Sequence, residues 1–347
     1  MKKLHNTVDR RILKEQIQHQ TEPRLTVSFY TYHLIEDPQG FRDALFEAWS
    51  GLGILGRTYI ASEGINAQIS VPKEKFDAFK THLYQIPWLN GVRLNSAVQS
   101  DDRAFFKLIV KLRSKIVADG IEDPQFDPSN TGVHLDAAAF NALTDQPDTV
   151  LIDMRNHYES EVGHFENAIL PDVDTFREEI AYVENMLKGQ EEKNIVMYCT
   201  GGIRCEKASA YLKYKGFPNV HQLEGGIIKY ARDAKEQGLP IKFKGVNFVF
   251  DERLAERISE DVIAVCHQCG NPFDLHTNCA NEACHILFIQ CDSCKQEMNN
   301  CCSTECKDVN ALPIEEQRAL RKGRIAERNV FKKGRSEKLK FMSKSNK

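Results

Sequence analysis

One stretch constrains this chain more than any other: Ile195-Val-Met-Tyr-Cys199-Thr-Gly-Gly-Ile-Arg204-Cys205, an apolar run that passes through a glycine-containing loop into a helix. Ile195 to Tyr198 has the length and character of a buried parallel strand. Glu206 to Tyr214 carries helical periodicity that ends at Gly216, a helix-terminating residue. Cys199 therefore stands just before a helix N-terminus. There the backbone N–H groups of Thr200, Gly201, Gly202, Ile203 and Arg204, the helix dipole and the Arg204 guanidinium all favour an anion. The same groups lower a thiol pKa, and the two glycines let the backbone close around an anion without a Cβ clash. Cys199 and Arg204 are thus the candidate catalytic pair, and Thr200 to Ile203 the candidate anion-binding loop.

The loop from Cys199 to Arg204 spans six residues. In that length it resembles the active-site loop of rhodanese sulfurtransferases, sized for a cysteine persulfide, whereas related phosphatases carry one residue more. Asp148-Thr-Val-Leu-Ile-Asp153-Met-Arg155 and Tyr158-Glu-Ser-Glu-Val-Gly163-His164 resemble the first strand and following loop of a rhodanese domain, and Val220-His-Gln-Leu-Glu224-Gly-Gly-Ile-Ile-Lys-Tyr230 its last strand and closing helix. Strands and helices alternate from about residue 147 to 240, which predicts a parallel sheet flanked by helices. Asp153 and Arg155 read as an ion pair that supports the loop from behind, and His164 as a structural histidine.

Residues 24–118 read as a separate domain. Leu25 to Tyr32 alternates like a strand, Phe41 to Leu52 is helical, and Gly56 to Val71 holds two strands around Glu63-Gly64-Ile-Asn66. Lys73 to Tyr84 is helical again, and Val92 to Ser96 and Phe105 to Ile116 are extended. The order β-α-β-β-α-β indicates a ferredoxin-like α+β sandwich. In the last strand Lys107, Lys111, Arg113 and Lys115 share one parity, so period two places four cations on one face, a candidate RNA-binding surface.

Nine of the eleven cysteines fall between residues 266 and 306. Cys266-His-Gln-Cys269 and Cys291-Asp-Ser-Cys294 are C-x-x-C pairs separated by twenty-one residues, a zinc-ligand spacing. They form one expected site. Cys279, Cys284, Cys301 or Cys302, and Cys306 supply a second. The module is expected over residues 260–310, followed by a basic tail over 311–347. From Arg318 to Lys347 the chain carries twelve Lys or Arg against Glu327 and Glu337, a net +10 in a chain whose total is −3. A low-apolar basic run of this kind is solvated or contacts nucleic acid. The first twenty residues lack an uninterrupted apolar core, and no stretch approaches the length of a membrane span, so the expected location is the cytoplasm, with no membrane partner. In a reducing compartment, so many cysteines argue for metal ligation or redox chemistry over disulfides.

Taken together, these α/β domains resemble the rhodanese-like tRNA uridine hydroxylases over nearly the whole chain. The resemblance is carried by Glu22-Pro-Arg24, Glu63-Gly-Ile-Asn-Ala-Gln-Ile-Ser70, Ile116-Val-Ala-Asp-Gly120, Ile152-Asp-Met-Arg-Asn-His-Tyr158, Tyr198-Cys-Thr-Gly-Gly-Ile-Arg-Cys-Glu-Lys207, Phe248-Val-Phe-Asp-Glu-Arg253 and Cys266-His-Gln-Cys269. It implies formation of 5-hydroxyuridine at the wobble position of tRNA with molecular oxygen as co-substrate, and it places the family's rhodanese cysteine on Cys199. No flavin or nicotinamide fingerprint and no two-His-one-carboxylate pattern stands out in the sequence, and zinc is redox-inert. Cys199 is then expected to add to uracil C6 or to carry a persulfide or sulfenate, with Cys205 either packing against the sheet or resolving an oxidised Cys199. A persulfide sulfurtransferase and a non-catalytic RNA-binding adaptor are the alternatives.

Overall fold

The computed structural model describes residues 4, 8, 10–99, 101–322, 333–336 and 339. After a first helix, α1 (Arg10–Gln18), the N-terminal unit runs β1 (Arg24–Tyr32), α2 (Pro38–Gly51), β2 (Leu55–Ala61), β3 (Gly64–Pro72), α3 (Phe76–Tyr84), β4 (Asn95–Ser96) and β5 (Leu108–Leu112). The sheet order is β4-β1-β3-β2-β5. The first four strands are antiparallel in ferredoxin-like order, and β5 lies parallel to β2. The short β4 completes the sandwich, and the run expected as its closing strand, Phe105 to Ile116, is a fifth strand on the opposite edge.

Period two divides this sheet into an apolar and a polar face. Val27, Phe29, Ile60, Ile65, Ala67, Ile69 and Val71 turn towards the helices, where Trp49 meets Phe29 and Phe79 edge-on. Each buried Val, Ile or Phe among them contributes about 1.5–3 kcal/mol. Arg24, the cation of the Glu22-Pro-Arg24 motif, is buried and ties β1 to its neighbours. Its guanidinium donates to Gly53 O (2.6 Å), Ser70 O (2.8 Å) and Ser70 Oγ (2.9 Å). The other face carries Ser28, Tyr30, Arg57, Tyr59, Asn66 and Gln68 and turns towards the second unit.

That second unit comprises β6 (Val133–Leu135), α4 (Ala137–Thr144), β7 (Thr149–Asp153), α5 (His157–Ser160), β8 (Gly163–Phe165), α6 (Phe176–Met186), β9 (Asn194–Tyr198), α7 (Ile203–Tyr214), β10 (Val220–Leu223) and α8 (Gly226–Gln237). Its parallel sheet has the order β6-β10-β9-β7, and so takes in a strand well upstream of residue 147. Ile195, Met197 and Cys199 point to one side, with α6 and α7. Val196 and Tyr198 point to the other, among Phe140, Phe165 and Tyr230. A sheet buried on both faces explains why β9 reads as continuously apolar. A small antiparallel sheet of β8, β11 (Phe243–Phe248) and β12 (Ala255–Arg257) extends the unit.

The motif residues join the two units. Lys207 on α7 is 2% exposed, and its Nζ lies 2.6 Å from both Glu63 Oε2 and Asp119 Oδ2. Glu63 also accepts from Ile116 N (2.8 Å), which draws the chain out of the β5 ladder after Arg113. Lys115 consequently leaves the proposed cationic face: its Nζ reaches Asp119 Oδ1 (2.6 Å) and Ile121 O and fixes a turn. Lys111 stays in β5, in register with Tyr59, and Lys107 and Arg113 flank the strand, with Arg113 over the Tyr59 ring.

The C-terminal module is built on β13 (His276–Asn278), β14 (Leu287–Ile289), α9 (Asp292–Met298), α10 (Thr304–Ala311) and α11 (Ile314–Arg321). Much of the basic stretch, residues 323–332, 337, 338 and 340–347, lies outside the described residues. The described part packs instead of standing free. Arg321 pairs with Glu282 (2.6 Å), Arg335 pairs with Asp172 and with Asp174 (3.4 Å), and Leu339 is buried beside Cys279, Cys301 and Cys302. Among the described residues no helix is long and apolar enough to cross a membrane.

Candidate active site

β9 delivers Cys199 to the carboxyl end of the parallel sheet, where open α/β sheets place their ligands. α7 begins immediately after the loop, with Gly202 as its N-cap in the left-handed region (φ 102°) and no side-chain cap. A Cβ at Gly202 would also stand 2.7 Å from the Tyr30 hydroxyl, so this position suits glycine on two counts. The uncapped N–H groups turn on the thiol instead: Gly202 N lies 3.1 Å from Cys199 Sγ, and the N–H groups of Arg204 and Cys205 also donate to it. Burial opposes ionisation of Cys199. The Cys205 thiol, the Arg204 charge and these amides outweigh it and bring the pKa down to about 6. Burial and the neighbouring Cys199 push Cys205 well up, so Cys205 stays protonated and acts as the donor.

Arg204 does not hang free over the loop. Nη1 and Nη2 clasp Glu159 Oε1 and Oε2 at 2.7 and 2.8 Å, and Nη2 reaches Thr200 Oγ1 at 3.5 Å. Glu159 is fully buried on the one-turn α5, which is closed by a capping box in which Asn156 N donates to Glu159 Oε1 (3.2 Å). Sequence reasoning passes over Glu159. The signal it offers is Asn156-x-x-Glu159, a capping-box spacing. Glu179 on α6 is a second omission: it is fully buried, and both carboxyl oxygens lack a hydrogen-bond partner among the described residues. Burial first, then Asp153, Glu159 and Cys199, hold it protonated against the opposing pull of Arg204.

Asp153 and Arg155 lie behind the loop, both fully buried. Arg155 Nε and Nη2 meet Asp153 Oδ1 and Oδ2 at 2.8 and 2.7 Å, and Tyr198 Oη donates to Asp153 Oδ2 at 2.8 Å. The pair ties β7 to β9 and does not reach the cavity. His164, the middle residue of β8, has Nδ1 2.9 Å from Ser160 O and is not among the residues that line the cavity at the thiol.

The loop opens on a cavity of about 730 Å³ whose opposite wall is the polar face of the N-terminal sheet. Tyr30 Oη donates to Glu206 Oε1 (2.9 Å) and Tyr32 Oη to Ile203 O (3.4 Å), so the sheet rests on the start of α7. Lys333, from the basic stretch, lines the cavity over the Tyr158 ring. Burial lowers its pKa to about 8.

The cysteines of the third module divide into Cys266, Cys269, Cys291 and Cys294, and Cys279, Cys284, Cys302 and Cys306, each set with its sulfurs within 4.8 Å of one another. Cys301 packs beside the second set without belonging to it and donates to Asn299 O (3.5 Å). Sulfurs about 2.3 Å from a tetrahedral zinc would be about 3.8 Å apart. The separations of 3.6 Å for Cys269–Cys291, 3.6 Å for Cys284–Cys302 and 3.7 Å for Cys302–Cys306 fit that figure. Backbone donors also point at the sulfurs, as a thiolate requires: Cys291 N at Cys266 Sγ (3.3 Å) and Cys302 N at Cys279 Sγ (3.4 Å). His267, between two of the ligands, accepts from Ile289 N at Nδ1 and therefore donates from Nε2 to Glu161 (2.8 Å), the residue that ends α5.

The fold and site define a rhodanese-type thiolate loop closed over by an acylphosphatase-like sheet. Residues 24–116 match the family described as UPF0176 acylphosphatase like domain, 136–233 the Rhodanese-like domain, and 244–307 the Rhodanase C-terminal family. Over 333 residues the chain is 58% identical to the tRNA uridine(34) hydroxylase of Pectobacterium atrosepticum, covering 96% of this chain and 94% of that one. Proteins of the same name from Enterobacter sp. (56%) and Yersinia enterocolitica (57%) match over 96% of this chain and 95% of theirs. The chain belongs to the tRNA uridine(34) hydroxylase family.

Proposed function

We propose that this chain hydroxylates uridine 34 of tRNA to 5-hydroxyuridine in the cytoplasm, with dioxygen as co-substrate and Cys199 as the nucleophile. The observation that carries the role of Cys199 is its thiolate, held near pKa 6 at the floor of a 730 Å³ cavity of nucleotide size. Addition of the thiolate to uracil C6 would move electron density to C5, the carbon that gains oxygen. The Gly202, Arg204 and Cys205 donors hold the sulfur ionised before addition and after release. The net conversion takes uridine, dioxygen, two electrons and two protons to 5-hydroxyuridine and water, with the electrons drawn from an external thiol reductant that is oxidised to its disulfide, and Cys199 is regenerated. Cys205, the protonated donor beside Cys199, is available to it as a second thiol.

The two four-cysteine sets suit structural zinc, which would tie β13, β14, α9 and α10 together and, through His267 and Glu161, steady α5 and the Glu159 clasp. Zinc supplies folding free energy there and no redox chemistry. Lys107, Lys111 and Arg113 beside the cavity face are the proposed contacts to tRNA phosphates.

Nucleoside analysis of tRNA from cells with and without the protein tests the reading. Loss of 5-hydroxyuridine at position 34 supports it. Loss of a thiolated nucleoside instead would favour the sulfurtransferase alternative, and no change at oxygen or sulfur the adaptor.

A further inference from the structure

The cavity wall opposite Cys199 contains polar side chains that the protein itself leaves unused. Arg57, Gln68 and Ser28 lie in one register row across β2, β3 and β1, and all three line the cavity. Among the described residues, none of these side chains has a hydrogen-bond or ion-pair partner. Their neighbours on the same wall are occupied: Tyr30 by Glu206 (2.9 Å) and Asn66 by Ile116 O (3.4 Å). Arg177 of α6, across the cavity, is likewise without a carboxylate partner among the described residues, although Asp174, Glu178 and Asp251 line the same space. Arg57 is half-buried and Arg177 exposed, so both guanidinium groups are open to donate to anions or carbonyl oxygens that enter the cavity.

The chemistry of the row selects among bases. A guanidinium offers donors only, whereas a carboxamide and a hydroxyl offer both kinds of partner. The imide edge of uracil reads acceptor, donor, acceptor at O4, N3–H and O2, and cytosine replaces the first acceptor with an amino donor, which would oppose Arg57 donor to donor. N3 and C6 lie across the pyrimidine ring from each other. A base whose imide edge meets the sheet wall therefore turns C6, and C5 beside it, towards the wall that carries Cys199.

We infer that Arg57, Gln68 and Ser28 form the base-reading wall of this site, taking the imide edge of a single uracil turned out of an RNA loop, while Arg177 engages its backbone phosphate. The inference rests on the proposed function and adds the specificity of the same cavity. A loop nucleotide is the substrate that can enter it, because it is unpaired and its Watson–Crick edge is open to side chains.

The test uses full-length protein and anticodon stem-loop RNAs that differ only in carrying U or C at position 34, read by fluorescence anisotropy and by 5-hydroxyuridine formation. Wild-type protein should prefer U by roughly 10-fold or more. Gln68→Leu and Arg57→Gln should each raise KM for the U RNA by roughly 10-fold and reduce the U over C preference. The pH dependence of iodoacetamide labelling of Cys199 should not move, because the loop is untouched. Variants with wild-type KM and wild-type preference would overturn the inference. If Gln68→Leu fails to fold, Arg57→Gln and Ser28→Ala carry the test, since both lie on the polar face and away from the apolar core. Should wild-type protein form no 5-hydroxyuridine, the functional reading fails alone, and the U over C binding preference still decides the wall.

Discussion

Cys199 and the eight cysteines of the C-terminal sets are the same side chain in opposite surroundings. At Cys199 one sulfur faces a helix start, an arginine and a protonated thiol, with no second thiolate to share a metal. In the C-terminal module each sulfur faces three others within 4.8 Å. The first arrangement makes a nucleophile, and the second makes a ligand set that needs a cation to offset its charge. Which role a cysteine takes is decided by what stands within about 4 Å of its sulfur, as the hydrogen-bond and coordination distances require.

The comparison breaks most sharply under serine substitution. Cys199→Ser should reduce 5-hydroxyuridine formation by on the order of 10³-fold or more, because a hydroxyl cannot supply the thiolate, and leave metal content as in wild type, with any loss of stability confined to pH above about 6 where the thiolate contributes. Cys294→Ser should do the reverse. Metal per chain by elemental analysis should fall from two towards one and thermal unfolding should begin earlier, while Cys199 still labels near its usual pH. Modification at wild-type rates by the Cys199 variant would remove it from the chemistry.

The arginine clasp is the next largest effect. Arg204→Ala removes the opposite charge nearest the thiol, and the labelling midpoint of Cys199 should rise by roughly 1 to 3 pH units. Glu159→Gln leaves a buried guanidinium without its carboxylate and should cost about 3–5 kcal/mol of stability by denaturant titration. A stable Glu159 variant would show that the pair is better solvated than its burial implies.

A milder perturbation is pH itself. A thiol whose folded pKa lies below its unfolded value stabilises the fold above the unfolded pKa, and that contribution is lost as pH falls through about 6. Activity should follow the thiolate: level above about pH 7, then falling roughly tenfold per pH unit below about 6. Single-turnover rates at saturating tRNA would show it, and a limb centred near the ordinary thiol pKa would mean that the loop does not hold the anion.

The Cys199 loop and the C-x-x-C pairs were legible in the sequence because their partners are local: Cys199, Gly202 and Arg204 lie within one turn, and Cys266 and Cys269 within three residues. The Glu159 clasp crosses 45 positions and the Lys207–Glu63 bridge crosses 144, so no window of sequence presents them together. The same holds for the cavity, whose two walls come from different domains. Parity along Phe105 to Ile116 places Lys107, Lys111 and Arg113 on one face, as the strand does, and fails at Lys115. Glu63, far upstream, captures the backbone of Ile116, and the ladder ends before Lys115.

That failure yields the smallest and most discriminating prediction. If Lys111 and Arg113 touch tRNA phosphates, changing each to Gln should lower the log–log salt slope of binding by roughly 0.7 to 0.9 for every phosphate left without its cation, with little effect on turnover at saturating tRNA. Lys115→Gln should leave the slope alone, because its ammonium is engaged by Asp119 and Ile121, and should instead loosen the 115–121 turn that holds Asp119 against Lys207. Titrations at several salt concentrations, paired with denaturant melts of the same variants, separate the two behaviours. A slope change at Lys115 equal to that at Lys111 would mean that all four cations face the RNA after all and that the turn opens when tRNA binds.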